Sequence, residues 1–344
     1  MKIAHLTFSF ETGGLQTMLI DILNEQCQQH EVSLIIINDF YEQALIDEID
    51  TRVRVFCLNR KPGSRNPITL LKLNGLLYRL DPWVVHCHNN ELIGLLTPHW
   101  YSTCLTVHDV NYPNRYFRKY DKVFAISEAV ANDLRQRTAV APVVIHNGIN
   151  IRHIPVRDPY RFSPVFRIVQ IGRLMHSKKG QDILLQAVAM LVHQQGMCRL
   201  RLDIIGEGDS LDYLKELVSS LDIAPYVSFL GLRSREFIYA QFRSYDLLVQ
   251  PSLYEGFGLT VAEAMAAGVP VLVSDIEGPM EIIKQGVFGW HFPAGDAAAC
   301  ARQIAHIQAV YETEACRQKI RFAQEHARKA FSITQTARQY VMSY

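Results

Sequence analysis

Two stretches of the 344-residue chain carry side chains whose type and spacing suit the recognition of anions and hydroxyls. The first is Tyr254–Val271, YEGFGLTVAEAMAAGVPV, in which an apolar strand pattern (DLLVQPS) leads into a helical one opening near Thr260. Gly256 and Gly258 carry no side chains, so backbone N–H groups can approach a ligand closely. The helix start adds partial positive charge and makes an anion site. Glu255 precedes this helix and Glu263 lies in its first turns. They do not share one helix face, so they are expected to flank a ligand lying over the helix start and to accept hydrogen bonds from its hydroxyls. As ordinary surface acids they would only favour the helix dipole.

The second stretch is Gly172–Gly180, GRLMHSKKG, directly after the strand pattern FRIVQI. Arg173 offers a planar fork to phosphate oxygens, and Lys178 and Lys179 offer compact charges. Two weaker signals are TGGL at Thr12–Leu15 and the pair Gly206 and Gly208; neither forms a dinucleotide fingerprint, and each alone reads as a tight turn. His86 and His88 alternate on one strand end and read as structural, while His108 ends another strand in LTVHDV. These three histidines do not define a metal geometry, and no metal site is expected. Neither GxSxG, HExxH, a P-loop nor an Asp-x-Asp pair occurs. Charge on a leaving group would then fall to cations and helix ends.

These residues must be held by an α/β framework. Strand patterns at Lys2–Phe8, Val32–Asn38, Val53–Leu58, Trp83–His88, Leu105–His108, Lys122–Ser127 and Val143–His146 alternate with helical ones. A second series runs through Phe166–Ile171, Leu200–Ile205, Val227–Leu230, Leu247–Gln250 and Val269–Val273, with helices over Asp182–His193 and Leu211–Leu221. Runs such as SLIII read as parallel strands covered on both faces. Asn150–Pro164, with three prolines and no periodicity, reads as a linker. The expectation is two doubly wound Rossmann-like domains, 1–155 and 166–325, joined by 156–165 and facing across a ligand cleft. The end of the chain reads as helical, and 326–344 is expected to be a C-terminal helix that crosses back to the first domain.

Composition narrows the function classes. Apolar residues make up 49% and charged residues 20%, which excludes general disorder. A net charge of +1 argues against a nucleic-acid partner. Seven scattered cysteines without a CxxC pair suit a reducing, cytoplasmic setting. The N-terminus reads as a first strand rather than a signal peptide, and no apolar run approaches the roughly 20 residues that span a bilayer. The window Arg52–Arg79 holds seven Lys or Arg and no acid, including Arg60, Lys61 and Arg65, and joins a leucine-rich helix. It reads equally as a basic solvent face or as a peripheral contact with anionic lipid.

GRLMHSKKG followed by EGFGLTVAEAMAAGVPV resembles family 4 of the retaining glycosyltransferases, which have the GT-B fold. TGGL, VHD at 107–109, FAISEAVANDL, IHNGIN and IIGEGD agree with it, so the resemblance covers most of the chain. It implies that Glu255 holds donor-sugar hydroxyls, that Glu263 holds the ribose, and that Arg173 and Lys179 stabilise the leaving diphosphate. Phe257, Gly258 and Leu259 would offer backbone N–H groups to the same diphosphate. Gly14 would contact phosphate or acceptor, and His108 would sit beside the sugar. The family has one Lys before the loop's final Gly where this chain has two, so Lys178 shares the expectation. Glu281 matches a further acidic position. The implied reaction moves a sugar from a nucleotide diphosphate, UDP favoured, to a hydroxyl of a glycan or lipid-linked acceptor, with retention, no metal and no protein nucleophile. Surface polysaccharide or lipopolysaccharide synthesis is the implied setting. The competing readings are a nucleotide-sugar epimerase or hydrolase on the same fold, and a non-catalytic binding protein.

Overall fold

The computed structural model describes residues 1–64, 66–97, 100–156 and 164–344. The chain divides into two compact units, Met1–Asn150 with Phe331–Tyr344, and Ile151–Ala330. Ile151–Pro155, placed with the first domain in the sequence reading, therefore goes with the second unit. Arg328 explains this, because its guanidinium donates to the carbonyls of Ile151 (3.0 Å) and Ile154 (3.3 Å). Most of the expected linker, 157–163, lies outside the described residues.

The first unit is built on strands β1 (Lys2–Thr7), β2 (Glu31–Asn38), β3 (Arg54–Arg60), β4 (Val84–Cys87), β5 (Ser102–Val107), β6 (Lys122–Ala125) and β7 (Val143–Val144). They form one sheet in the order β3-β2-β1-β4-β5-β6-β7, and every pairing is parallel. Val32 to Asn38 are all buried, as a parallel strand covered by helices on both faces requires. On one face Leu19, Ile20 and Leu23 of the helix Gly14–Gln26 pack with Leu34 and Ile36.

The second unit uses β8 (Phe166–Ile171), β9 (Leu200–Ile205), β10 (Val227–Gly231), β11 (Leu247–Gln250), β12 (Val271–Ser274) and β13 (Trp290–Phe292). Their order is β10-β9-β8-β11-β12-β13, again wholly parallel. The helix Gln181–Gln195 lays Leu184, Ala187, Val188 and Leu191 on this sheet and stops at Gly196 in the left-handed region.

Three local readings change. β12 begins at Val271 rather than Val269, because Val269 N closes the preceding helix on the Ala264 carbonyl (2.9 Å) and Pro270 has no N–H to give. β13, only three residues long, is too short to show an alternation. The C-terminal stretch is two helices, Glu314–Ala330 and Ile333–Ser343, rather than a single one over 326–344, and the second belongs to the first unit, as the expected crossing requires. The break is held by Ile149, whose N–H donates to Phe331 O (2.7 Å) and whose carbonyl accepts from Ile333 N (3.0 Å). The first of these helices packs on Leu259–Ala267, and the second on Gly14–Gln26. The earlier one is also strongly amphipathic, burying Cys316, Ile320, Ala323 and Ala327 along one stripe.

Among the described residues no helix is long and apolar enough to cross a membrane. All seven cysteines are free.

Candidate active site

In each sheet the chain order reverses between two central strands, β1 and β4 in the first unit and β8 and β11 in the second. Loops leaving the carboxyl ends of such a pair diverge and leave a crevice. In the second unit those loops are Gly172–Gly180 and Pro251–Gly258, the two stretches singled out by their chemistry.

The loops are fastened to each other through the backbone. Leu253 N donates to the Lys178 carbonyl (2.8 Å). Gly180 sits at φ +63°, and a Cβ there would collide with the carbonyl oxygen of Pro251. Within the first loop, His176–Lys179 makes a single helical turn where a plain loop was expected. Gln181, fully buried, donates from Nε2 to Arg173 O (3.0 Å), and His176 Nδ1 lies 2.9 Å from Ser210 Oγ.

The pair Gly206 and Gly208 supports this loop rather than forming an isolated turn. Leu174 N donates to Glu207 O (2.8 Å), and a Cβ on Gly206 would strike the carbonyl of Gly172.

This frame brings Lys179 and Glu255 into an ion pair, Nζ to Oε2, with side chains only 21% and 16% exposed. The same Oε2 accepts from Gln250 Nε2 (2.8 Å), and Gln250 Oε1 accepts from Thr260 Oγ1 (2.8 Å). A partly desolvated carboxylate with two donors on one oxygen is held in one orientation. Gln250 was missed in the sequence reading. Its signal is a polar residue ending the apolar strand LLVQ, buried to 4%.

The helix after the second loop is Leu259–Ala267, so Leu259 is its first residue and Gly258 caps it. Its first N–H groups have no intrahelical acceptor. The ring of Phe257, 2% exposed, anchors the loop in the core. Glu263 stands one turn in, half-buried, and its Oε1 accepts from Tyr239 OH (2.8 Å). Tyr239, 2% exposed on the helix Arg235–Phe242, is a second residue that sequence reasoning missed. Arg173 is exposed and Lys178 half-buried in the same loop as Lys179. Glu281 lies on the short helix Glu277–Ile282 after β12, whose Gly278 packs against the Glu255 carbonyl.

Gly14 and His108 belong to the first unit. Gly14 is exposed at the first position of the helix Gly14–Gln26, after a turn in which Thr12 N donates to Glu42 Oε1 (3.1 Å). His108 follows β5 and is half-buried, with Nε2 3.1 Å from His88 Nδ1. Burial pushes the His108 imidazole down to about 3, so it is neutral near pH 7.

The second unit thus presents cations, helix-start N–H groups and two oriented carboxylates at one strand-end crevice. That set suits a ligand with both phosphate and hydroxyl groups. Two family models match the chain: that described as Glycosyl transferases group 1 over residues 160–325, and that described as Glycosyltransferase Family 4 over residues 12–153. The uncharacterized glycosyltransferase MJ1607 of Methanocaldococcus jannaschii is 32% identical over 227 residues, 62% of this chain and 56% of the relative. The amylovoran biosynthesis glycosyltransferase AmsK of Erwinia amylovora is 31% identical over 200 residues, 54% of this chain and 48% of the relative. The chain thus spans about half the length of these curated relatives. Anabaena Alr3699/HepE, solved with UDP and glucose, aligns with a TM-score of 0.80 at 22% identity over 100% of this chain and 99% of that one, a likeness of fold. With the two models accounting for both units, the chain belongs to glycosyltransferase family 4 and has the GT-B fold.

Proposed function

We propose that this protein transfers a sugar from a UDP-sugar to a hydroxyl of a glycan or lipid-linked acceptor, with retention at the anomeric carbon and without a metal. The observation that carries this reading is the Lys179–Glu255 pair set at the strand-end crevice beside the start of the helix Leu259–Ala267.

In the proposed reaction the bond between the anomeric carbon and the diphosphate oxygen breaks. The acceptor oxygen forms the new bond from the same face and passes its proton to the departing phosphate, and UDP leaves. The protein supplies position and charge. Arg173, Lys179 and the neighbouring Lys178 offset the charge growing on the diphosphate, with the N–H groups of Phe257, Gly258 and Leu259. Glu255 takes hydroxyls of the sugar, and Glu263 takes the ribose. Gly14 and His108 act from the first unit, on phosphate or acceptor and on the sugar.

UDP is favoured by the HepE structures solved with UDP and with UDP-glucose. A role in polysaccharide synthesis is favoured by the AmsK likeness. Thermal-shift titration with UDP, GDP and ADP, each with EDTA, tests the site, because a ligand of the folded state raises its melting point. A shift with UDP alone supports the reading. The absence of any shift rejects a metal-independent nucleotide site.

A lipid-linked acceptor is favoured by the helix Pro67–Leu80. It buries Leu73, Leu76, Leu77 and Leu80 but leaves Leu71 and Tyr78 72% exposed, beside exposed Lys72 and Arg79. Trp100, 58% exposed, meets Tyr78 edge-on at 5.6 Å, and aromatic residues of this kind suit a membrane interface. The Arg60 guanidinium donates to Ser64 O (Nε, 3.1 Å) and Asn38 Oδ1 (3.3 Å), and Arg65 lies outside the described residues. Flotation with phosphatidylglycerol vesicles, lost in Leu71→Glu with Lys72→Glu, checks this surface. Binding that persists in that variant rejects it.

A further inference from the structure

Four imidazoles gather at the carboxyl ends of the central strands of the first unit. His5 on β1 pairs in register with His86 on β4; His88 follows β4 and His108 follows β5. His5 and His86 are 0% exposed and His88 2%. His5 Nδ1 lies 3.1 Å from His88 Nε2, and His88 Nδ1 lies 3.1 Å from His108 Nε2.

A neutral imidazole has one N–H and one lone pair, so a row of such bonds has a direction. Burial lowers the pKa of all four rings, His5 to about 4, and keeps them neutral near pH 7. Gln26 sets the direction. Its Nε2 donates to Tyr344 OH (3.2 Å), so its Oε1, 2.8 Å from His5 Nε2, accepts the His5 proton. His5 Nδ1 is then bare and accepts from His88 Nε2–H. His88 Nδ1 is bare in turn and accepts from His108 Nε2–H.

The branch through His86 agrees. Thr106 Oγ1 donates to Tyr340 OH (3.3 Å) and accepts from His86 Nε2–H (2.6 Å), so His86 Nδ1 accepts from Tyr344 OH (2.8 Å). With its proton spent there, the Tyr344 oxygen is the acceptor that Gln26 needs.

The nitrogens of His5, His86 and His88 also lie within 4.8 Å of one another. Yet the His5 and His88 rings stack at 14°, and both nitrogens of His86 are engaged by hydroxyls. Hydrogen bonding accounts for each of these atoms.

We propose that His5 and His88 are positioning residues that hold His108 as its Nε2–H tautomer, leaving a lone pair on Nδ1 to accept a hydrogen bond from a hydroxyl of the donor sugar. The sugar rests on the transferase reading, whereas the tautomer does not. The site would then take a hydroxyl at this point and disfavour a group that only accepts hydrogen bonds.

The test is nitrogen NMR of the full chain labelled at histidine. The expected result is Nε2–H and bare Nδ1 for His5, His88 and His108, with couplings across both N–H···N bonds, before and after UDP is added. His88→Phe should abolish the couplings and lower kcat/KM for the nucleotide sugar about tenfold in protein that stays folded. His88→Asn, whose Oδ1 replaces Nδ1 as the acceptor for His108, should restore most of that rate. A Nδ1–H signal on His108, missing couplings, or a bound metal equivalent shared by His5, His86 and His88 would overturn the assignment. Should no nucleotide sugar be turned over, the NMR result still decides the tautomer, and only the sugar contact falls.

Discussion

Lys179 and Glu255, 76 residues apart in the chain, are joined as an ion pair between the loops that leave β8 and β11. In the proposed reaction the same ammonium faces the leaving diphosphate, so Lys179 serves a protein carboxylate and a substrate phosphate from one place. Lys179→Met is expected to lower kcat by about 10²–10³-fold, the range for losing one donor to a developing charge. Glu255→Gln keeps the shape and the hydrogen bond to Gln250 but drops the charge, and should lose rate while still binding UDP. Initial rates and UDP titration calorimetry separate the two effects.

Gly180 joins the two loops sterically. Gly180→Ala combines a left-handed backbone with a collision against the Pro251 carbonyl, and is expected to cost roughly 2–4 kcal/mol. Gly206→Ala meets the Gly172 carbonyl and should behave alike. Urea unfolding gives the energies, and UDP affinity should fall in both variants because the cation loop shifts.

Tyr239 orients Glu263 through a 2.8 Å hydrogen bond. Tyr239→Phe removes about 1 kcal/mol of orienting interaction and should weaken UDP several-fold. The effect should shrink for 2′,3′-dideoxy-UDP, which lacks the ribose hydroxyls assigned to Glu263. Calorimetry with both nucleotides checks this.

The buried histidines predict an acid-sensitive first unit. His5, His86 and His88 are held neutral in the folded chain, with pKa values lowered by burial, whereas the unfolded chain takes up their protons near the ordinary 6.5. The unfolded state therefore binds more protons below that pH, so stability is full above about 6.5 and falls as pH drops toward 4. Each ring contributes about 1.4 kcal/mol per pH unit within its window. Urea midpoints measured from pH 7.5 to 4.5 should decline, and less steeply in His86→Gln.

Much of the second unit was legible in the residues themselves. Continuous apolar strands such as FRIVQI and LLVQ, parted by helical spacings, specify a covered parallel sheet, because only that arrangement buries both strand faces. The types of Glu255, Glu263, Arg173 and Lys179 were equally plain, since anion and hydroxyl recognition depends on a few side-chain chemistries. Elements without a strong period were not legible: the three-residue β13, and the break at Phe331 made by backbone bonds to Ile149.

Through its local patterns the sequence by itself determined the α/β class, two sheet-forming series and the chemistry available at their strand ends. Only the tertiary structure decided which of those groups meet. Strand order set β8 beside β11 and so paired Lys179 with Glu255, while Gln250 and Tyr239 acquired roles only through the neighbours that folding gave them. His5 shows this most clearly. Nothing in KIAHLT marks it, yet parallel register places it against His86, and burial and hydrogen bonding link it to His88 and His108. Local sequence encodes backbone periodicity and side-chain type, whereas hydrogen-bond partners far apart in the chain are fixed by the order and register in which strands assemble.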